Sequence, residues 1–330
     1  TSAIFGFLLT LEEVLQKQKP THIAVVFDTP EPTFRHKMYT EYKANRDETP
    51  EDIKKAVPYI KRLIGAYRIP VIDCPGFEAD DVIGTLSKQA YQKGFITYMM
   101  TPDKDYAQLV TDRVFMFKPS RSGNESVVWG VEEVKREFSV NDPEQVIDVL
   151  ALMGDSADNI PGAPGIGPKT AMKLISEFGT IEELFRNTGS LKGKVKEIIE
   201  NYREQIELSK RLARIEQNSP VELKEEELIS EKPDSESLKK LFDELEFRTI
   251  AARILGEYEK AEAGEEQKRI FETPAVSVQG TLFGEEITHT SIEKNSIGNV
   301  MHDYILVDSS SQIDELVRTV SSLKEFCFDT

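Results

Sequence analysis

Apolar residues in the first half of the chain recur in two rhythms. Short runs bounded by turn residues appear at Ile23–Phe27, Pro70–Asp73, Phe95–Met100 and Val114–Phe117. Their β-branched and aromatic content predicts strands. Between them lie stretches with helical spacing. Asp81–Lys93 places Val82, Ile83, Leu86 and Ala90 on one face and stops at Gly94. Asp52–Tyr67 also predicts a helix, with Pro58 expected to kink or interrupt it. Strands alternating with helices predict an α/β fold with a mostly parallel sheet and flanking helices.

The pattern changes near Asn141. Pro143–Met153 predicts a helix, a Gly/Pro-rich stretch runs from Asp158 to Lys169, and helical spacing continues through Arg253. From Gly256 to about Asn299 the chain is acidic and poorly periodic, which predicts a linker. His302–Asp308 opens a new apolar pattern, with a helix expected over Gln312–Leu323 and a strand over Phe326–Asp329. So short a tail cannot bury a core alone, so it predicts the opening of a further domain. The expected organisation is therefore 1–140, 141–255, 256–299 and 300–330.

Composition narrows the classes. No stretch approaches the ~20 apolar residues of a membrane helix. Ala3–Leu11 lacks the basic lead and cleavage site of a signal peptide. Cys74 and Cys327 are far apart, which argues against a disulfide scaffold and a cysteine zinc site and points to a reducing cytoplasm. A net charge of −17 runs against the basic footprint of a nucleic-acid binder. The charge is uneven, however: Glu222–Glu286 holds 18 acidic and 9 basic residues, whereas Gly162–Arg214 holds 10 basic and 7 acidic. DNA is therefore not excluded, although the overall charge argues against a general, sequence-blind DNA coat.

Much of the remaining acidity falls where apolar runs end. Asp28 closes the first run, Glu78, Asp80 and Asp81 follow the second, and Asp103 and Asp105 follow the third. Parallel strands would bring these groups to one sheet edge. Asp155 and Asp158, three apart after a predicted helix, could share a face. Carboxylates gathered in this way repel and raise each other's pKa unless cations separate them. A set of oxygens without His or Cys suits Mg²⁺ or Mn²⁺, and two such ions about 4 Å apart can hydrolyse a phosphodiester. Acidic residues also favour loops and helix starts, and Asp81 could simply occupy the first turn of its helix.

Two further segments carry candidate phosphate chemistry. Gly165-Ile-Gly-Pro-Lys-Thr-Ala171 sets Gly165 and Gly167 before a helix starting near Lys169 and Thr170. Bare backbone and a helix N-terminus suit phosphate without reading bases; a tight interhelical turn is the alternative. Phe34–Arg46 mixes aromatics with Arg35, Lys37, Lys43 and Arg46. Lys43 and Arg46 could face a phosphate, or the stretch could be an ordinary solvated helix.

Phe34-Arg-His-Lys with Tyr42-Lys-Ala-Asn-Arg46, Gly76-Phe-Glu-Ala-Asp-Asp81, Thr101-Pro-Asp-Lys-Asp105 and Gly154-Asp-Ser-Ala-Asp-Asn-Ile-Pro-Gly162 with Gly165–Ala171 together resemble the flap-endonuclease-type 5′ nuclease domain of bacterial DNA polymerases I, from Thr1 to about Leu255. The resemblance implies a PIN-like core with a helical arch, followed by a helix–two-turn–helix domain that grips duplex DNA with help from K⁺. It implies Asp28, Glu78, Asp80 and Asp81 as ligands of a first metal ion, and Asp103, Asp105, Asp155 and Asp158 as ligands of a second. Lys43 and Arg46 match the arch cations, Arg35 a further phosphate contact, and Gly165, Gly167, Lys169 and Thr170 the duplex grip. The implied substrates are 5′-flap and nicked duplexes, and the protein a monomer. The family opens with a strand carrying another catalytic Asp, which the resemblance places before Thr1. His302–Thr330 resembles the start of a 3′–5′ exonuclease-like domain.

In the linker, Gln279-Gly-Thr-Leu-Phe283 resembles the peptides that bind the bacterial sliding clamp, with Leu282 and Phe283 as anchors; a chance match is the alternative. Two rival functions stand beside the nuclease. One is a DNA-structure-binding module without catalysis. The other is a ribonuclease acting on single-stranded RNA, against which the glycine-containing hairpin speaks.

Overall fold

The computed structural model of the protein describes residues 2–119, 126–256 and 258. These belong to one compact unit spanning Thr1–Phe271. The expectations for 259–330, including Gln279, Leu282 and Phe283, lie outside the described residues.

The chain opens with α1 (Ser2–Gln18), which buries Ile4, Leu8 and Leu11. β1 (Val25–Val26) follows, then α2 (Phe34–Met38). A run of tight turns, closed by Tyr42 N–H to Tyr39 O and Arg46 N–H to Lys43 O, leads to α3 (Glu51–Ala66). Pro58 lies inside α3 without ending it. The helix survives because Leu63 and Ile64, both fully buried, bind its far half to the core. β2 (Val71–Ile72), α4 (Ala79–Gln92), β3 (Thr97–Met100) and β4 (Val114–Lys118) complete the expected alternation. A strand that the apolar pattern did not single out, β5 (Val127–Trp129), adds itself antiparallel to β4.

Pairing is mostly parallel: β1 with β2, and β3 with β4. Among the described residues the strands form two sheets, ordered β1-β2 and β3-β4-β5. Within each sheet the two parallel strands therefore end on the same side, before Asp28 and Asp73 in the first and before Thr101 and Pro119 in the second. Met99, Val114 and Met116 are buried beneath the second sheet.

The rest is helical: α5 (Val131–Phe138), α6 (Val146–Met153), α7 (Pro168–Phe178), α8 (Ile181–Arg186), α9 (Gly193–Asn201), α10 (Arg203–Ala213), α11 (Glu225–Leu228) and α12 (Ser235–Leu245). The helix expected over Pro143–Met153 begins as a 3-10 turn, Pro143–Gln145, capped by the Asp142 carboxylate on Glu144 N–H. α6 is apolar nearly all round and fully surrounded, so it is the central rod of the main core. A second core joins α1, α3 and α12 through Leu8, Leu63, Leu238 and Phe242.

The loop after α6 is fixed by two glycines. Gly154 and Gly162 both have left-handed φ values, 71° and 61°. A Cβ on Gly154 would stand 2.6 Å from Ile160 O, and one on Gly162 would stand 2.7 Å from Gly154 Cα. The neighbours are backbone, so neither position can give way. Replacing Gly162 by Ala is expected to destabilise the protein by about 2 kcal/mol or more. The urea midpoint measures this; a midpoint within error of wild type contradicts the close packing.

A candidate metal centre and phosphate-binding hairpin

The candidate site is built around a short 3-10 turn, Lys104–Leu109, that follows β3. The Asp103 carboxylate caps it, accepting Asp105 N–H at 3.0 Å. Each following residue then reaches a different part of the site. Lys104 pairs with Asp155 and stands 3.5 Å from Asp105 Oδ1. The Tyr106 hydroxyl donates to Asp80 Oδ1 at 2.7 Å. Gln108 donates to Asp105 O and to Ala213 O, and its own carbonyl accepts Ile215 N–H at 2.9 Å. Asp28 leans in from β1, its Oδ1 accepting Ala79 N–H at 2.8 Å. The charges of Asp80, Asp103 and Asp28 all bear on the Tyr106 hydroxyl, so this tyrosine sits among three of the predicted carboxylates.

A second group forms around Tyr42 and Lys43. The buried Tyr42 hydroxyl lies 3.0 Å from both Glu78 Oε2 and Asp158 Oδ2. Lys43 Nζ stands 2.5 Å from Glu78 Oε1 and 3.7 Å from Asp158 Oδ2. Arg46 pairs with the other oxygen of Asp158. Backbone and amide contacts lace the same two segments. Lys43 N–H donates to Asp158 O, Asn45 Nδ2 to Ser156 O and Asn159 Nδ2 to Glu41 O. Phe34–Arg46 is therefore not an ordinary solvated helix. Only Phe34–Met38 is helical, and Lys43 takes a left-handed backbone, φ 57°.

Three expectations need correction. Asp155 and Asp158 do not share a helix face: α6 ends at Met153, and both residues lie in a tight loop closed by paired hydrogen bonds between Asp155 and Ile160. Asp81 is fully buried with both oxygens taken, by a bidentate fork from Arg35 at 2.7 Å and by Glu78 N–H and Glu216 N–H. Arg35 is 2% exposed, and besides Asp81 it holds Glu78, Leu212 O and Arg214 O. The donors of Arg35 are taken within the protein, and both oxygens of Asp81 are taken by Arg35 and backbone amides rather than left open to a metal ion. Their pair welds the site to the chain beyond α10.

Among the described residues no group of three or more His, Cys, Asp or Glu side chains meets metal-holding geometry. The donor set nevertheless fits hard cations. It is all oxygen, and Asp105 Oδ1 is buried without a hydrogen bond. Asp28, Glu78 and Asp80 on one side, and Asp105, Asp155 and Asp158 on the other, are the groups that could hold them, with Asp103, whose charge bears on both Asp80 and Asp105, between the two. Tyr42, Tyr106 and Gln108 were not found from the sequence, since a neutral residue beside a motif carries no charge pattern.

The hairpin lies apart from these groups. Ile166 is buried and anchors it, while Gly165, Gly167 and Lys169 are exposed and Thr170 half-buried. Gly165 has φ 82°, and no heavy atom approaches within 4 Å of a Cβ built on Gly167. The hairpin therefore presents bare backbone at the start of α7.

The chain matches two family models in succession. One describes a 5′-3′ exonuclease N-terminal resolvase-like domain over residues 1–139, the other a 5′-3′ exonuclease C-terminal SAM fold over 141–236. The 5′-3′ exonuclease of Aquifex aeolicus (strain VF5) is 37% identical over 254 residues, 77% of this chain and 85% of that protein. DNA polymerase I of Bacillus caldotenax is 38% identical over 255 residues, 77% of this chain but 29% of that protein. The chain thus spans under a third of the polymerase's length. A crystal structure of the bacteriophage T5 D15 flap endonuclease, as a pseudo-enzyme-product complex with DNA and metal ions, aligns with a TM-score of 0.54. It is 25% identical and covers 65% of this chain and 80% of that one.

Crowding leaves its mark on ionisation. Burial, reinforced by Asp103, Asp155 and Asp158, pushes Asp105 up to about 7. Burial with Glu78 and Asp103 pushes Asp80 up to about 6, against the Tyr106 hydrogen bond. Asp155 is also desolvated, yet Lys104 and two backbone amides hold it below the usual range. A raised folded-state pKa favours folding below the unfolded value near 4, and that contribution disappears as pH rises through 6 to 7. In chelator, the stability of the wild type relative to Asp105→Asn is expected to fall from pH 5 to pH 8, by at most about 3 kcal/mol. Urea midpoints at the two pH values measure it; a constant or rising difference contradicts the desolvated Asp105.

Proposed function

The chain belongs to the 5′-3′ exonuclease family, and from that we propose that it hydrolyses phosphodiesters in DNA at 5′ flaps and nicks with two bound Mg²⁺ or Mn²⁺ ions. The observation that carries this reading is the gathering of Asp80, Asp103, Asp105 and Asp155 around one 3-10 turn, with a buried Asp105 oxygen that accepts no hydrogen bond. A set of anions so costly to hold together serves to bind cations.

Asp28, Glu78 and Asp80 would hold one ion, and Asp105, Asp155 and Asp158 the other, with Asp103 between them. Bound there, such ions supply a more acidic attacking water and stabilisation of charge on the phosphate and leaving oxygens. The chain's own residues do the rest. Tyr106 orients Asp80 through its hydroxyl. Arg46, half-exposed beside Asp158, presents its remaining donors to a phosphate oxygen. Lys43 places a second cation at the same edge, its charge partly balanced by Glu78. The exposed backbone of Gly165 and Gly167, with Lys169 and Thr170, holds the duplex phosphates without reading bases; K⁺ suits the same hairpin. Arg35 and Asp81 take no part beyond fixing Glu78.

The wider reading follows the relatives. The chain is the nuclease portion of a protein like DNA polymerase I, whose polymerising activity would reside in residues beyond this stretch. It acts as a monomer in the cytoplasm, and no described helix is long and apolar enough to cross a membrane. Gln279, Leu282 and Phe283 form the peptide for the sliding clamp. A synthetic 275–288 peptide is expected to bind the clamp at micromolar concentration in a fluorescence titration; no binding at high micromolar removes that partner.

A second reading has its own support, since the carboxylates are paired with Arg35, Lys43, Arg46 and Lys104. A DNA-structure-binding module without chemistry would look the same. A labelled 5′-flap duplex separates the two. The nuclease predicts cleavage with Mg²⁺, none in EDTA, and a loss of about a hundredfold or more in Asp155→Ala. Tight binding with no cleavage at any Mg²⁺ or Mn²⁺ concentration supports the module instead.

A further inference from the structure

The two candidate ion sites differ in what already occupies them. Asp28, Asp80 and Asp103 receive hydrogen bonds from Ala79 N–H, Tyr106 and Asp105 N–H. Among the described residues no Lys, Arg or His forms an ion pair with any of the three. On the other side Lys104 Nζ bridges Asp155 Oδ2 and Asp105 Oδ1, while Arg46 and Lys43 pair with Asp158. These are the carboxylates that a second ion would need. They come from different elements, the 3-10 turn and the loop after α6, so nothing local holds them together against their repulsion.

We infer that Lys104 is a built-in counter-cation, which holds Asp105 and Asp155 together while the second divalent site is empty and swings out when the ion enters. This rests on the metal reading above and adds how the second site is regulated. The physical case is a competition. The ammonium bears one charge, and it remains 3.5 Å from Asp105 Oδ1. A Mg²⁺ ion bears two and sits at about 2.0–2.1 Å from its oxygens, so the ion displaces the ammonium from both carboxylates. The lysine side chain is 41% exposed and can rotate its head into water at small cost. An ion taken up by Asp28, Asp80 and Asp103 breaks no ion pair of theirs, although Glu78 beside them is held by Lys43; an ion between Asp105 and Asp155 must displace Lys104. The released ammonium remains at the rim, one residue from Asp103 and Asp105.

Titration of the chelator-stripped full chain with Mn²⁺, followed by electron paramagnetic resonance at fixed pH and ionic strength, tests this. Wild type should show a tighter and a weaker class of site. Lys104→Gln and Lys104→Met should both tighten the weaker class about threefold to tenfold, as expected for releasing a half-exposed ion pair. The tighter class should stay within about twofold. Lys118→Gln controls for charge alone: Lys118 feels the charge of Asp103, but its ammonium sits 3.0 Å from the Trp129 ring centroid rather than on a carboxylate. It should leave both classes nearly unchanged. A weaker class that stays put or loosens in both Lys104 variants overturns the inference, as does equal tightening in Lys118→Gln. If wild type binds no Mn²⁺ at all, the metal reading fails and this one with it; if wild type binds two ions and the variants match it, only the role of Lys104 fails.

Discussion

Like charges held close together are the constraint around which this protein is built. Carboxylates from β1, the start of α4, the turn after β3 and the loop after α6 meet within one region, and each must be fixed by groups that do not neutralise it completely. The solution is graded. Asp81 is fully compensated and buried, Asp155 is compensated by a half-exposed lysine, and Asp80 has only a tyrosine hydroxyl. The groups with the least compensation keep the most capacity for a cation.

Rigid connections make that gradation possible. The 3-10 turn at Lys104–Leu109 sends one side chain to each neighbour: Lys104 to the loop, Tyr106 to α4, Gln108 to the chain after α10. The turns before α3 are laced to the same loop by Lys43 N–H, Asn45 and Asn159. Gly154 and Gly162 pack backbone to backbone beneath it. None of these bonds is individually large, since a net hydrogen bond contributes about 1 kcal/mol. Together they confine several anions that would otherwise separate.

Much of this was legible in the sequence, and what was not has physical causes. The strands, α4 and the line of carboxylates at strand ends follow from period and from the rule that α/β sites lie beyond the strands. The roles of Asp81 and Arg35 did not follow, because a buried structural carboxylate and a candidate metal ligand are the same residue type one position apart. Only the Arg35 fork and the amides of Glu78 and Glu216 distinguish Asp81 from Asp80. Pro58 does not interrupt α3 because propensity is a local quantity, whereas α3 is held by Leu63 and Ile64 in the core. The loop around Asp155 escaped because its shape depends on the paired Asp155–Ile160 bonds and two left-handed glycines, which helical spacing does not encode. Tyr42, Tyr106 and Gln108 act through single polar atoms.

The path of the chain after α10 has a further consequence. Arg35, Asp81, Gln108 and Thr85 all hold residues between Leu212 and Ser219, and α12 closes the apolar face of α1 and α3. The amino-terminal half therefore cannot mature when its own last residue leaves the ribosome. Its buried arginine and its exposed leucines wait for a segment synthesised more than a hundred residues later, which makes folding late and interlocked rather than sequential.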